Sequence, residues 1–177
     1  MTEARNSGAS QARGRSTVER ASDREKVVTR NIRGSVRLVF QAWTQAAVFQ
    51  RWWVPQSLGM TLLSCEMDVR VGGTYRLVFK FDPEPLAFHG RYLEVTPNAR
   101  LVWTNEEAFV SGQITTVTFE EQAGETRVVV RELYPSKEAL DAAIVSGSTS
   151  GDMQETFDQL EALLPTLGTS AGLEAAR

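Results

Sequence analysis

The sequence predicts an α+β domain, in which a curved antiparallel sheet of six to seven strands wraps round a long carboxy-terminal helix, with two short helices after the first strand. Between residues 62 and 133, segments of alternating apolar and polar residues are separated by short turns, which is the pattern of an antiparallel meander. After residue 152 the apolar residues recur at helical spacing instead. One such helix needs a broad apolar surface, and the concave face of the sheet supplies it.

Composition predicts where this domain begins and ends. We expect one domain over residues 25–166, with disordered tails at residues 1–24 and 167–177, because a chain of 177 residues has the size of a single domain. The first tail holds five arginines and three acidic residues among many Ser, Ala and Gly. Such a segment buries too little apolar surface to offset the entropy of ordering, and it lacks the apolar stretch of a secretory signal.

Charge and composition exclude several classes of function. The formal net charge of -3 provides no overall basic field for nucleic acid. The single cysteine, Cys65, and the single histidine, His89, exclude an internal disulfide and a cluster of Cys and His metal ligands. No segment approaches the roughly 18 apolar residues of a membrane span. We therefore expect a cytoplasmic protein with no metal, no cofactor, no nucleic-acid partner and no membrane insertion.

The first predicted elements are a strand and two short helices. Residues 26–32 are rich in β-branched side chains, which indicates a strand. Ser35 is a candidate helix cap, and a second helical segment over residues 46–53 ends before Pro55. Between them, four apolar residues follow the spacing i, i+3, i+4 and i+7 of one helical face, namely Val36, Val39, Phe40 and Trp43.

Six more strands and two helices complete the predicted fold. Turn residues such as Gly72 and Gly73 separate the strands. The predicted strands are residues 62–70, 74–81, 86–95, 100–104, 113–121 and 126–133. The predicted helices are residues 137–147 and 152–164, and the second carries an apolar stripe of Met153, Phe157, Leu160 and Leu164.

Five segments, taken in order, resemble a known family. They are "LVFQAWTQAAVFQRWW", "CEMDVRVGGTYRLVF", "FHGRYLEVTPNARLVWT", "VTFEEQAGETRVVVRELYPSKEA" and "MQETFDQLEALL". The chain resembles the helix-grip fold of the START-like (SRPBCC, Bet v 1-like) superfamily over about Val27 to Leu164. More narrowly, it resembles homologues of the carboxy-terminal domain of the heat-shock protein 90 ATPase activator, a family that includes the calicheamicin self-resistance protein.

The chain departs from the pattern of that family in three places. Gly34-Ser35 stands where Ala-Pro is usual before the first helix, and Gln45-Ala46 stands where Asp-Pro is usual between the short helices. These changes concern caps and turns and leave the fold intact. A tryptophan that is often found near Asp152 is absent, and its absence is expected to enlarge or reshape the cavity beside the helix.

The resemblance implies a cavity between the sheet and the last helix, which is the usual geometry of an apolar ligand site. Trp43 and Trp52 are predicted as core, and Trp53 is placed at the mouth of the cavity. The alternation predicts which strand and helix residues line it together with Trp53. They are Met67, Tyr75, Leu77, Phe79, Trp103, Val117 and Phe119 from the strands, and Met153 and Phe157 from the helix. The alternative is that these side chains fill a core.

The strand over residues 86–95 carries the candidate catalytic groups, and its alternation leaves two arrangements open. In one, His89 and Arg91 enter the cavity; in the other, Tyr92 and Glu94 do. The resemblance favours the second, in which His89 is a surface or structural residue. Cys65 lies among inward apolar positions and is predicted to behave as a small hydrophobic residue.

The first functional hypothesis is a module that binds a small hydrophobic or aromatic ligand. The second, implied by the resemblance, is an enzyme of the polyketide cyclase or aromatase type, or a self-resistance protein, in which Tyr92, Glu94, His89 or Arg91 acts on the ligand. The third is a protein-interaction domain like the co-chaperone homologues. A homodimer is one further arrangement that the sequence allows.

Overall fold

The computed structural model describes residues 14–107, 111–146 and 153–174. Within these residues, one antiparallel sheet of eight strands has the order β1-β2-β8-β7-β6-β5-β4-β3. The strands are β1 Thr17–Arg20, β2 Glu25–Ile32, β3 Leu62–Met67, β4 Thr74–Phe79, β5 Leu86–Thr96, β6 Arg100–Asn105, β7 Gln113–Gln122 and β8 Glu125–Leu133. The α-helices are α1 Val36–Thr44, α2 Ala46–Phe49, α3 Lys137–Ser146 and α4 Gln154–Glu174, and a 3₁₀ turn spans Gln56–Leu58. This is the predicted α+β helix-grip fold.

The sheet extends further towards the amino terminus than the sequence predicts. Strand β1 lies inside the segment expected to be a tail and pairs with β2, with Thr17 opposite Thr29, so the sheet has eight strands instead of six to seven. Arg20 on this strand pairs with Asp141 of α3 at 2.5 Å. The prediction was wrong here because β1 is a short, exposed edge strand with little apolar content. The rest of that predicted tail, residues 1–13, lies outside the described residues.

The last helix is also longer than predicted. Helix α4 continues to Glu174, past the boundary at residue 166 and into the segment predicted as a second tail. Leu167 packs against the core, and this contact favours continuing the helix beyond Pro165. Residues 175–177 of the predicted tail lie outside the described residues.

The start of helix α1 is fixed by an N-cap at Ser35 and by close packing of α4 at Gly34. Ser35 precedes the helix in an extended conformation and its hydroxyl accepts a hydrogen bond from the Leu38 amide, as an N-cap does. At Gly34 a Cβ atom would lie 2.7 Å from the Leu164 side chain, so α4 packs directly on the backbone there. The buried face of α1 carries Val39 and Trp43, in agreement with the predicted stripe.

Helix α4 is fixed to the sheet by apolar packing and by a buried cation. Phe157 and Leu160 are fully buried in the main core. Arg30 on β2 is 2% exposed, and its guanidinium contacts Asp158 at 2.6 Å and Glu161 at 2.8 Å. These ion pairs set the position of the helix along the sheet, because a buried guanidinium left without them would carry a large desolvation cost.

Strand β5 contains an irregularity that changes which side chains face inward. Tyr92 pairs with Trp103, and Glu94 pairs with the very next residue of β6, Val102, so Leu93 is an extra residue of a β-bulge. Before the bulge Tyr92 is buried, and after it Val95 packs on the core while Glu94 turns to the surface. The alternation therefore shifts by one residue within a single strand.

Candidate functional site

A cavity of about 520 Å³ lies between the inner face of the sheet, the segment over residues 53–60 and the start of α4. It exists because α4 covers only part of the concave face. The helix packs its buried side chains on β2 and α1, and only residues at its amino-terminal end reach the cavity. Strands β3 to β6, together with one end each of β7 and β8, line the space that remains.

Most of the cavity wall is apolar and much of it is aromatic. Trp53 stacks on Phe49 with 4.8 Å between the ring centroids, and Phe79 meets Phe88 edge to face at 5.3 Å. Aromatic pairs in such geometries hold each other in fixed orientations. The apolar lining comprises Trp43, Phe49, Trp53, Val54, Pro55, Leu58, Met60, Met67, Tyr75, Leu77, Phe79, Phe88, Tyr92, Leu101, Trp103, Val130 and Met153.

One region of the wall is polar. Asn105 on β6, Gln113 and Thr115 on β7 and Glu132 on β8 all line the cavity, and we call these four residues the polar corner. The strand register makes them neighbours, because Asn105 lies opposite Gln113 and Thr115 lies opposite Glu132. Gln113, Thr115 and Glu132 are each 5% exposed. The sheet thus presents a contiguous polar surface inside an otherwise apolar cavity.

Part of the polar corner is held by a hydrogen-bond chain. The Tyr75 hydroxyl lies 2.9 Å from both the Thr104 carbonyl oxygen and Asn105 Oδ1, so it can donate to either. Asn105 Nδ2 then donates to Thr115 Oγ1 at 2.9 Å. At Gly90, which pairs with Tyr75, a Cβ atom would meet the Thr104 carbonyl oxygen at 1.9 Å. The chain therefore depends on the close approach that glycine permits.

A buried ion pair stands at the other side of the polar corner. Lys26 on β2 lies directly opposite Glu132, and Lys26 Nζ is 3.4 Å from Glu132 Oε2, with both side chains 6% exposed. The Tyr134 hydroxyl donates to the same carboxylate at 3.5 Å. Lys26 does not line the cavity, whereas Glu132 does. A molecule inside the cavity would therefore contact Glu132 and not Lys26.

Burial keeps the two tyrosines of the wall protonated. Desolvation raises the pKa of Tyr75 well above its ordinary value, and the Glu107 charge adds to the effect. Desolvation likewise raises the pKa of Tyr92, with smaller contributions from Cys65 and Asp68. Both phenols are therefore neutral hydrogen-bonding groups in the physiological range of pH.

Seven of the ten residues predicted to line a ligand site do line the cavity, namely Trp53, Met67, Tyr75, Leu77, Phe79, Trp103 and Met153. The other three do not. Val117, Phe119 and Phe157 are buried in the packed core, and the Phe119 ring is 5.4 Å from Phe40 and 5.9 Å from Trp43. The prediction was wrong for Val117 and Phe119 because α1 covers the part of β7 on which they lie, and wrong for Phe157 because it is itself one of the α4 side chains that fill the core.

The four candidate catalytic residues are divided between the cavity and the surface. Tyr92 lines the cavity. His89, Arg91 and Glu94 have exposed or partly exposed side chains that lie outside it. The first of the two arrangements of this strand is thus wrong, and the second is wrong for Glu94, which pairs with Arg100 at 3.1 Å because the bulge reverses its direction.

An acidic cluster surrounds His89 at the outer edge of β5. Glu106 contacts Arg91 at 3.0 Å, and hydrogen bonds from Thr104 and Arg91 lower the pKa of this carboxyl. Glu107 accepts a hydrogen bond from the His89 amide at 2.7 Å, and burial raises its pKa. Neither carboxylate lines the cavity, so this cluster is separate from the site.

Hydrogen bonds join α4 to the segment at the mouth of the cavity. The Ser57 amide donates to Glu155 Oε1 at 2.9 Å, and the Ser57 hydroxyl donates to Glu155 Oε2. Gln159 Nε2 donates to the Trp52 and Val54 carbonyl oxygens at 2.8 Å. We call the Ser57–Glu155 contact the latch. Hydrogen bonds from Ser57 lower the pKa of Glu155.

Sequence reasoning missed the polar corner, although the signal was present. Gln113 and Thr115 alternate in phase with Val117 and Phe119, and Glu132 alternates in phase with Val128 and Val130. Polar residues at inward positions of two adjacent strands therefore indicated a polar region inside the fold. Among the described residues, no group of three or more metal-ligating side chains could hold an ion, and none of the helices has the length and apolar character needed to cross a bilayer.

Comparison with known proteins supports the same fold. The model of the family "Activator of Hsp90 ATPase homolog 1-like protein" matches residues 33–165. A protein from Rhodobacter sphaeroides is 20% identical, with a TM-score of 0.75 over 86% of this chain and 99% of that one. Protein NE0264 from Nitrosomonas europaea is 22% identical, with a TM-score of 0.73 over 85% and 99%. Protein Ms6760 from Mycobacterium smegmatis is 23% identical, with a TM-score of 0.71 over 86% and 99%. No curated protein matches the chain.

Proposed function

Because the chain belongs to the family of activator of Hsp90 ATPase homolog 1-like proteins, and because its sheet encloses an aromatic-walled cavity, we propose that it binds a small hydrophobic or aromatic molecule there. The observation that carries the proposal is the cavity of about 520 Å³. Sites for small molecules are typically about 300–1,000 Å³, mostly apolar, with a few placed polar groups.

The energetics of the wall favour an aromatic ligand. Each square ångström of apolar surface removed from water contributes about 25 cal/mol, and the cavity offers flat rings on several sides. Trp53 and Trp103 stand on different elements, and both line the space. A flat aromatic ligand gains additional binding free energy from edge-to-face or offset contacts with such side chains.

The protonation of the wall favours binding over proton transfer. The pKa values of Tyr75 and Tyr92 are raised by burial, so neither phenol serves as a general base near neutral pH. His89, the one histidine of the chain, lies outside the cavity. The chemistry that a cyclase would need therefore has less support than simple binding.

The test is a calorimetric titration with naphthalene as the probe, with protein injected into a dilute probe solution. We expect binding with a Kd on the order of 100 µM, as befits a probe of ten carbon atoms. Substituting Met67→Trp places an indole in the cavity, and we expect it to weaken binding about tenfold or more by occupying the space.

Leu63→Trp is the matched control, because Leu63 lies on the same strand, is 53% exposed and does not line the cavity. Equal binding by both variants would place the probe elsewhere and contradict the proposal. Native mass spectrometry of protein purified from its own host then reports the mass of any ligand that remains bound.

A further inference from the structure

We propose that the ligand is an aromatic molecule with a neutral hydrogen-bonding group at one end, such as a phenolic hydroxyl or a carboxamide, and that this group docks on the polar corner. The inference rests on the proposed function and narrows it to a ligand class. A purely hydrocarbon ligand and an anionic one are the alternatives that it excludes.

Gln113 provides the first argument. Its side chain is 5% exposed and lines the cavity, and its carboxamide makes no hydrogen bond to any residue that the structure describes. The amide is not among the buried polar atoms that lack both solvent contact and a partner, so it faces the cavity, where solvent can hydrogen-bond to it. A ligand that displaces this solvent without offering a hydrogen-bonding group would leave the amide unpaired at a cost, whereas a ligand that carries such a group would replace the lost bonds, since an amide both donates and accepts.

Thr115 provides the second argument. Its hydroxyl oxygen accepts the hydrogen bond from Asn105 Nδ2 at 2.9 Å, which leaves the hydroxyl proton available to donate. Because the chain from Tyr75 holds Asn105 in place, the position of this donor is fixed before any ligand arrives. Groups that are oriented in advance bind a ligand without the cost of ordering them.

Glu132 provides the third argument, and it decides the charge of the ligand. Its carboxylate lines the cavity, while the balancing Lys26 ammonium lies behind it and outside the lining. Glu155 adds a second carboxylate near the mouth. An anionic ligand would meet negative charge at both places, whereas a neutral O–H or N–H can donate to the Glu132 carboxylate.

The aromatic end of the ligand would lie on the other side of the cavity. Phe79 and Phe88 face each other on β4 and β5, towards the β3 edge of the sheet, and the polar corner lies on β6, β7 and β8. The wall therefore changes from aromatic to polar across the sheet. A molecule with one apolar end and one polar end is complementary to that change.

The test compares naphthalene, 2-naphthol and 2-naphthoate in the same calorimetric titration at pH 7. We expect 2-naphthol to bind about tenfold more tightly than naphthalene, because it satisfies buried polar groups that naphthalene leaves unpaired. We expect 2-naphthoate to bind more weakly than 2-naphthol. Tighter binding of the carboxylate would overturn the proposal.

The variant Gln113→Leu removes the carboxamide and keeps a side chain of similar size. We expect it to bring the affinities for naphthalene and 2-naphthol to within about threefold of each other by raising the Kd of 2-naphthol alone. Gln122→Leu is the matched control, because Gln122 is at the exposed end of the same strand. Thr115→Val, with Thr116→Val as its control on the opposite face, provides a second independent pair.

The outcomes separate the inference from the function on which it rests. If naphthalene and 2-naphthol bind equally, and Gln113→Leu changes neither, the polar-corner proposal fails while cavity binding stands. If none of the three probes binds wild-type protein, or Met67→Trp leaves their binding unchanged, cavity binding fails and the inference fails with it.

Discussion

The two halves of the concave face differ in how they are filled. Over β2 and the parts of β7 and β8 that carry Val117, Phe119 and Val128, α1 and α4 insert Val39, Phe157 and Leu160, all of them fully buried. Over β3 to β6 and the other ends of β7 and β8, inward side chains such as Leu77 and Trp103 line a space of about 520 Å³. The same sheet therefore acts as a packed core on one side and as the wall of a cavity on the other.

This difference predicts that the two parts of the concave face contribute unequally to stability. Packed interiors have few voids, and their side chains lose free energy when truncated. A cavity wall lacks packing partners on one side, so its residues contribute less to stability and can be exchanged at smaller cost. Substitutions that compare the two halves directly test this prediction.

The largest expected difference is between truncations in the two halves. Leu160→Ala removes a fully buried side chain and should lower the free energy of unfolding by about 2–5 kcal/mol. Met67→Ala should cost less than about 2 kcal/mol, because Met67 is only partly buried and part of its surface faces the cavity. Urea unfolding measures both values. Equal losses in the free energy of unfolding would contradict the difference in packing between the two parts of the concave face.

The next comparison concerns the Lys26–Glu132 ion pair, of which Glu132 lines the cavity and Lys26 does not. Glu132→Gln leaves the Lys26 ammonium buried away from solvent and should destabilise the protein by about 3–5 kcal/mol. Lys26→Met leaves the Glu132 carboxylate at the cavity, where water can solvate it, so the cost should be about half as large.

The double variant Lys26→Met/Glu132→Leu serves as the control, since replacing a buried pair by apolar side chains is often close to neutral. If Lys26→Met proves the more damaging single change, the cavity does not hydrate Glu132. That result would also remove one support for the preference for a neutral ligand.

The smallest expected effect comes from the latch at the mouth. The pKa of Glu155 is lowered by its hydrogen bonds from Ser57, so the stability that the latch contributes is complete above the ordinary glutamate pKa of about 4.3. It is lost as the pH falls through the lowered value in the folded protein. Glu155→Gln should therefore reduce the thermal midpoint slightly at pH 7, and the difference from wild type should shrink towards pH 3.

Glu66→Gln is the matched control for the latch, because Glu66 is an exposed carboxylate on β3. Its thermal midpoint at pH 7 should match that of wild type, because this substitution leaves the hydrogen bonds of the latch in place. A Glu155→Gln difference that stays constant down to pH 3 would mean that the charge of Glu155 does not stabilise its contact with Ser57.

The sequence predicted the parts of this structure that follow a simple period. Alternation placed Tyr75, Leu77 and Phe79 on the inner face, and helical spacing placed Val39 and Trp43 in the core. Both patterns arise because one face of each element is buried. The edge strand β1 could not be found in this way, since its four residues are all exposed and its pairing with β2 is what orders it.

The composition of the site was harder to predict for two physical reasons. Alternation identifies the inward face, but it does not say where a helix covers that face, so Val117 and Phe119 were assigned to a site that α1 fills. The same reasoning assigns polar residues to the outer face, so it did not identify Gln113 and Glu132 as residues of the cavity wall. Their inward direction becomes evident only when the cross-strand register places them beside Asn105 and Thr115.

The bulge at Leu93 divides β5 into two parts whose inward residues have different surroundings. Before the bulge, Phe88 and Tyr92 line the cavity, and the next inward residue, Val95, packs on the core. Substitutions in the first part of the strand could therefore reshape the cavity while the second part keeps its place in the core. Pairing every residue of β5 without the bulge would restore strict alternation along the strand. Tyr92 and Val95 could then no longer both face inward, because they lie an odd number of positions apart, and two residues that point to the same face of a regular strand are separated by an even number of positions.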